Sequence, residues 1–270
     1  DSRLVKFHRD ELVNYINQQL TKITHVTNDN ETINMSLFTP NSITLYRANT
    51  FSIKEPETLE WIEEFGSNKA ILIDIGANVG LYSIYHALLN NSKAIAFEPS
   101  FTNLRLLVKN ININNCQNLI SVISNPLSNN LSLNKFIYGS LEEGDALSSF
   151  GVNYGFDGKK INEELSVNVL GMTLDWILDN NFIENLPYFV KIDVDGIEHI
   201  ILEGAEQTLL SSNCKSVLVE VNDNFNDQAI AVKKQMETFG FILKNKVYSD
   251  LSANSEKFNA TANQIWVKNY

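Results

Sequence analysis

Two groups of residues in this chain have types and spacings that could do chemistry. The first is Leu72-Ile73-Asp74-Ile75-Gly76-Ala77-Asn78-Val79-Gly80, followed 22 residues after Gly76 by Glu98, at the end of a second apolar run over 93–97. The second is Tyr188-Phe189-Val190-Lys191-Ile192-Asp193-Val194-Asp195-Gly196, then Ile197-Glu198-His199. In the first group an apolar strand runs into two glycines, which let the backbone turn sharply and approach a ligand. A helical apolar pattern (Leu81, Ile84, Tyr85, Leu88) comes next. A strand, a Gly-rich turn, a helix and a second strand tipped by an acid form half of a nucleoside-binding α/β unit, with the acid spaced to hold ribose hydroxyls.

The loop itself narrows the choice of nucleoside. Dinucleotide sites use G-x-G-x-x-G, and here Ala77 and Asn78 stand where another early glycine is needed. No G-x-x-x-x-G-K-[ST] occurs, so a P-loop is absent, and the spacing disfavours a nicotinamide oxidoreductase. S-adenosylmethionine, which has no pyrophosphate, suits Gly76, Ala77, Asn78 and Gly80 better. Backbone N–H groups at the helix start can take its carboxylate. Asp74 can face its ammonium, directly or through water, and Glu98 can accept from both ribose hydroxyls.

In open α/β sheets the ligand lies outside the carboxyl ends of the strands, where the second group falls. Methyl transfer from a sulfonium needs in-line alignment, and an acceptor that must lose a proton also needs a general base. Asp193, at the strand tip, is the first candidate base. His199 is the second, being the only histidine near the group and able to titrate near neutrality. Lys191 could pair with Asp193 or Glu198 and hold it ionised. Asp195 and Glu198 are candidates for the acceptor side. Asp193, Asp195 and either Glu220 or Asn222 could offer oxygens to Mg²⁺. Side chains two apart on an extended strand point to opposite faces, however, so no metal is expected.

On five motifs in order the chain resembles the FkbM family of methyltransferases. They are residues 73–80; Ala96-Phe97-Glu98-Pro99 with Asn103; Thr173-Leu174-Asp175; residues 191–198 with Gly204-Ala205; and Val219-Glu220-Val221. The resemblance covers about residues 70–222. Asp195 departs from it, since the family has Glu there; the charge is kept and the reach is one methylene shorter. The resemblance implies a Rossmann-like class I methyltransferase fold, S-adenosyl-L-methionine as cofactor with Asn103 among its contacts, and O-methylation of a small hydroxylated acceptor such as a sugar, glycan or polyketide-type metabolite. A non-catalytic cofactor-binding module in a larger biosynthetic assembly is the alternative.

The elements that must position these groups follow from periodicity. Strands are expected near 70–75, 93–97, 119–123, 188–194, 215–221, 239–248 and 262–268, and helices near 79–90, 100–115, 173–180, 196–211 and 226–238. This alternation gives an α/β, doubly wound, mostly parallel seven-stranded sheet with an antiparallel edge hairpin. Residues 67–270 form the expected catalytic domain and 1–66 an N-terminal α+β cap. In the cap, 1–30 has a helical stripe (Leu4, Phe7, Leu12, Tyr15, Ile16, Leu20), 32–53 reads as strands turning at Pro40-Asn41-Ser42, and 57–65 as a helix. A strand pair over 131–138 and 165–170 brackets a Gly- and Ser-rich substrate loop, 139–165, with Tyr154 and Phe156 as candidate walls.

Composition bounds the partners. A net charge of −11 over 270 residues disfavours nucleic acid and anionic membranes, because both are bound through Lys and Arg. No run of about 18 apolar residues is present. Cys116 and Cys214 are isolated, which fits a reducing, cytoplasmic setting. Five N-x-[ST] matches, at Asn30, Asn34, Asn90, Asn130 and Asn259, are read as chance in a chain with 36 asparagines. The start, Asp1-Ser2-Arg3, has no signal-peptide pattern and no Met, so the chain could be cut from a longer protein.

Overall fold

The computed structural model describes residues 2–248 and 258–268 apart from 68, 181 and 184, with side chains from residue 8 onward. The chain begins with α1 (Ser2–Asn17), a hairpin of β1 (Leu20–Val26) and β2 (Thr32–Phe38), α2 (Ser42–Lys54) and α3 (Pro56–Phe65). Two expectations fail here. The helix expected over 1–30 stops at Asn17, and its apolar stripe is exposed at Leu12, Tyr15 and Ile16; Leu4 and Phe7 lie outside the described side chains. Residues 42–54 are helix rather than strand. Asn41 caps α2 by accepting from the Thr44 N–H at 2.9 Å, and Thr44 Oγ1 returns toward the Asn41 backbone. The reciprocal cap starts a helix where Pro40-Asn41-Ser42 reads only as a turn.

The main sheet is built as expected. Its strands are β3 (Ile71–Ile75), β4 (Ala94–Phe97), β5 (Ile120–Ile123), β9 (Tyr188–Ile192), β10 (Cys214–Asn222), β11 (Phe241–Tyr248) and β12 (Thr261–Lys268), in the order β11-β12-β10-β9-β3-β4-β5. β10, β9, β3, β4 and β5 run parallel, and β12 and β11 pair antiparallel at the edge. The 249–257 connection of that edge hairpin lies outside the described residues. Between β5 and β9, β6 (Ser132–Ile137), β7 (Ser149–Phe150) and β8 (Ser166–Gly171) make a small antiparallel sheet, and β6 and β8 are the expected strand pair.

Strand residues are buried on both faces because helices cover both. Ile71, Ile73 and Ile75 join Val190 and Ile192 in one core, over which lie α6 (Leu174–Asp179), α7 (Glu198–Glu203), α8 (Glu206–Leu210), α9 (Asn226–Thr238) and the small sheet. Leu72, Phe189 and Leu218 face the other core with α3, α4 (Leu81–Asn90) and α5 (Phe101–Ile113). This is why the strands read as unbroken apolar runs. The single helix expected over 196–211 is two, α7 and α8. Gly204 sits between them, and a Cβ there would stand 2.1 Å from the Ser128 carbonyl oxygen. Asp175 then caps α8, accepting from Gln207 N at 3.0 Å and Thr208 N at 2.8 Å, so Thr173-Leu174-Asp175 is a packing motif.

His86 on α4 is fully buried. Its Nε2 donates to the Ala70 carbonyl at 3.1 Å and its Nδ1 accepts from Asn90 Nδ2 at 3.2 Å, which fixes the neutral ring. Burial holds its pKa down at about 4. The unfolded chain therefore binds a proton below about pH 6.5 that the folded chain refuses until about pH 4. Folded-state stability is fully present above pH 6.5 and is lost as pH falls through this window. Relative to His86→Gln, the wild type is expected to lose about 3 kcal/mol between pH 7 and pH 4, measured by urea unfolding.

Candidate active site

The site lies at the carboxyl ends of β3, β4, β9 and β10, across the switch point between β3 and β9. Gly76 and Gly80 adopt φ values of +86° and +92°, which only glycine takes without strain. At Gly76 a Cβ would stand 1.9 Å from the Asp193 carbonyl oxygen, so the first loop and the second are in backbone contact. Glu98 follows β4 and is 5% exposed. It accepts from Asn78 N at 2.7 Å and from Ser100 N at 2.8 Å, and burial pushes its carboxyl up to about 7. Beside it opens a cavity walled by Phe97, Leu127, Phe136 and Ile201. A buried acid at the edge of an apolar cavity fits the ribose and adenine of S-adenosylmethionine. Asp193 borders this cavity and also a wider cleft that includes Arg47, Lys54, Asp195 and Glu220.

Lys191 explains how that cleft holds its charge. Its ammonium is 1% exposed and contacts Asp193 Oδ2 at 2.5 Å. Asp74 is its register partner on β3. Burial would lower the lysine's pKa, but Asp193, Asp74 and Glu55 outweigh it and hold the pKa above the ordinary range. Burial likewise raises Glu55, and Lys54 and Lys191 outweigh that and hold it well down. Asp195 stands at φ +64°, beyond the end of β9. That turn removes the reason for separating Asp193 from Asp195. One carboxylate oxygen each from Asp193, Asp195 and Glu220 lies within 4.8 Å of the others. Crowding shows in the acids. Burial, then Asp193, raises Asp195 to about 6, and burial with Asp193 and Asp195 raises Glu220 well above its usual range.

A loop closes over the two cavities. Asn78 Nδ2 and Asn103 Nδ2 both donate to the Asp145 carbonyl, at 2.8 and 3.1 Å. Asn103 Oδ1 accepts from Gly144 N at 2.7 Å, and Asp195 Oδ2 accepts from Leu147 N at 2.6 Å. From α2, Arg47 Nε donates to the Gly144 carbonyl at 2.7 Å. The residues expected to hold cofactor and acceptor thus also hold this strip of the 139–165 loop.

Four sequence candidates lie elsewhere. Asp74 is fully buried beneath the loop, where it accepts from Ser83 Oγ at 2.6 Å, and it borders neither cavity. Glu198 turns under its own loop, accepting from Val194 N at 3.1 Å, from Gly196 N and from Gln228 Nε2. Burial raises it to about 8. His199, one step of about 100° further round α7, faces α9: its ring meets Phe225 at 6.2 Å and its carbonyl accepts from Gln235. Burial lowers its pKa. Tyr154 packs edge-on to Phe225 at 5.5 Å, whereas Phe156 does wall the cleft, 4.9 Å from Phe258. Arg47, Lys54, Glu55 and Asn263, which have no motif of their own, line the cleft. The one signal for the first three is the Asn41-x-x-Thr44 cap: read as a helix, 44, 48, 51 and 55 form the buried stripe that carries them inward.

If Glu98 is the acceptor for two ribose hydroxyls, Glu98→Ala is expected to weaken S-adenosylhomocysteine binding at least about tenfold by titration calorimetry. Glu98 titrates near 7, and its ionised form accepts better. Wild-type affinity should therefore rise from pH 6 and level off above about pH 7, with no such rise in Glu98→Gln.

The FkbM methyltransferase domain matches residues 74–245. No curated protein is a significant match. Distant likenesses among solved structures include an rRNA methylase from Streptococcus thermophilus (11% identity, 79% of this chain, 95% of that one, TM-score 0.48). Precorrin-6y C5,15-methyltransferase from Geobacter metallireducens is another (12%, 78%, 87%, 0.44). A third is TrmK of M. capricolum in complex with S-adenosyl-homocysteine (14%, 78%, 66%, 0.43). These are too distant to add to the family match, which spans more than half of the chain and both reacting loops. The chain belongs to the FkbM family and is an S-adenosylmethionine-dependent methyltransferase.

Proposed function

We propose that the chain transfers the methyl group to a hydroxyl of a small molecule, such as a sugar, glycan or polyketide-type metabolite. The observation that carries this is the position of Asp193, which, like Asp195, borders both the apolar cavity and the acidic cleft, and which alone of the two is paired with the buried Lys191. When bound, S-adenosylmethionine supplies a methyl group on a sulfonium. Asp193 is then the group placed to take the acceptor's proton, and Lys191 holds it in position from behind. Asp195 and Phe156 belong to the acceptor side. The cleft's carboxylates and the net charge of −11 speak against a polyanionic acceptor such as nucleic acid. Residues 1–66 act as a cap on a catalytic domain over 67–270, with 139–165 as the acceptor loop. A cytoplasmic setting fits the two free buried cysteines. Among the described residues no helix is long and apolar enough to cross a membrane.

With labelled methyl donor and a panel of hydroxylated sugars and polyketide-type alcohols, the wild type should methylate at least one. Asp193→Asn should lower turnover by about 10²-fold or more, as expected for loss of a general base, while binding of S-adenosylhomocysteine changes several-fold at most. Full turnover in Asp193→Asn would refute the assignment.

A further inference from the structure

The loop expected to take the cofactor's carboxylate has already spent most of its donors. Gly76 N and Ala77 N donate to the Phe97 carbonyl at 3.0 and 2.9 Å, Asn78 N to Glu98, and Gly80 N to the Ala77 carbonyl at 2.8 Å. A carboxylate arriving here needs another partner. With ribose at Glu98, the amino-acid end extends past Gly76 toward a recess beneath α2, lined by Arg47, Lys54, Asn78, Tyr82, Lys191 and Asp193. Three cations border it. Lys191 is committed to Asp193, Asp74 and Glu55, and Lys54 is paired with Glu55. Arg47 differs: its Nε is held by the neutral Gly144 carbonyl, and among the described residues it forms no salt bridge, acting on Glu98 and Asp195 only through longer-range charge. A guanidinium fixed through Nε keeps its outer N–H groups for a planar, two-oxygen partner.

We propose that Arg47 is the counter-ion of the methionyl carboxylate of S-adenosylmethionine. The proposal rests on the cofactor reading above. It places a cofactor contact on α2, outside residues 74–245 of the family match. It also makes one side chain grip the cofactor and the loop that covers it, so that loading and closure are coupled.

The test compares two ligands. S-adenosylhomocysteine carries the amino-acid end; 5′-methylthioadenosine has the same nucleoside and thioether without it. By titration calorimetry, Arg47→Gln should weaken S-adenosylhomocysteine by about 10–100-fold, the loss of a charge-assisted pair, and change methylthioadenosine by no more than about twofold. Arg47→Lys should fall between. Retained methylthioadenosine binding shows that the variant is folded. Equal weakening of both ligands would overturn the proposal and leave Arg47 acting on the loop alone. Unchanged S-adenosylhomocysteine binding would overturn it outright. A wild type that binds neither ligand would overturn the cofactor reading and the proposal together.

Discussion

A lysine ammonium at 1% exposure, in the middle of a parallel sheet, is the constraint on which the site depends. A buried charge without partners costs several kcal/mol, and breaking a buried pair costs about 3–5 kcal/mol. Lys191 therefore has to be met by acids from different parts of the chain. Asp74 comes from the neighbouring strand, Asp193 from its own strand tip, and Glu55 from the end of α2. Satisfying one charge thus fixes the register of β3 against β9, the direction of the Asp193 carboxylate and the seat of the N-terminal segment.

The remaining geometry follows from that anchor. With Asp193 held, Gly76 can meet its carbonyl only because it has no Cβ. The chain then breaks from strand to left-handed backbone at Asp195, and Glu198 collects the freed N–H groups of Val194 and Gly196. The acids that line the cleft and the acid that shapes the loop thus have separate jobs. Covering the site falls to backbone groups of Gly144, Asp145 and Leu147, gripped by side chains from α2, α5, the first loop and the second. A cover held through its backbone can tolerate varied side chains facing the cleft.

What was legible in the sequence was what local pattern determines. The two reacting loops, the strand alternation and the edge hairpin follow from periodicity, glycine placement and strand-tip acids. That Glu98, Asn78 and Asp193 border the cavity follows from their fixed offsets from strand ends. What was not legible depends on packing between distant segments. Nothing local distinguishes Glu198, which turns inward, from Asp195, which turns outward. Helix geometry turns His199 toward α9 rather than toward the cleft. Asp74 was expected to face a ligand and instead faces a lysine, a choice visible only once β3 and β9 are side by side. Arg47 was hidden by a segment whose strand-like composition is overruled by a reciprocal helix cap.

A structure with S-adenosylhomocysteine bound tests the central claim most directly. The account places the ribose hydroxyls on Glu98, the adenine between Phe97 and Leu127, and the sulfur beside Asp193, opening toward the cleft with Asp195 and Glu220. A sulfur turned away from Asp193, or a nucleoside bound outside the Glu98 cavity, would contradict it.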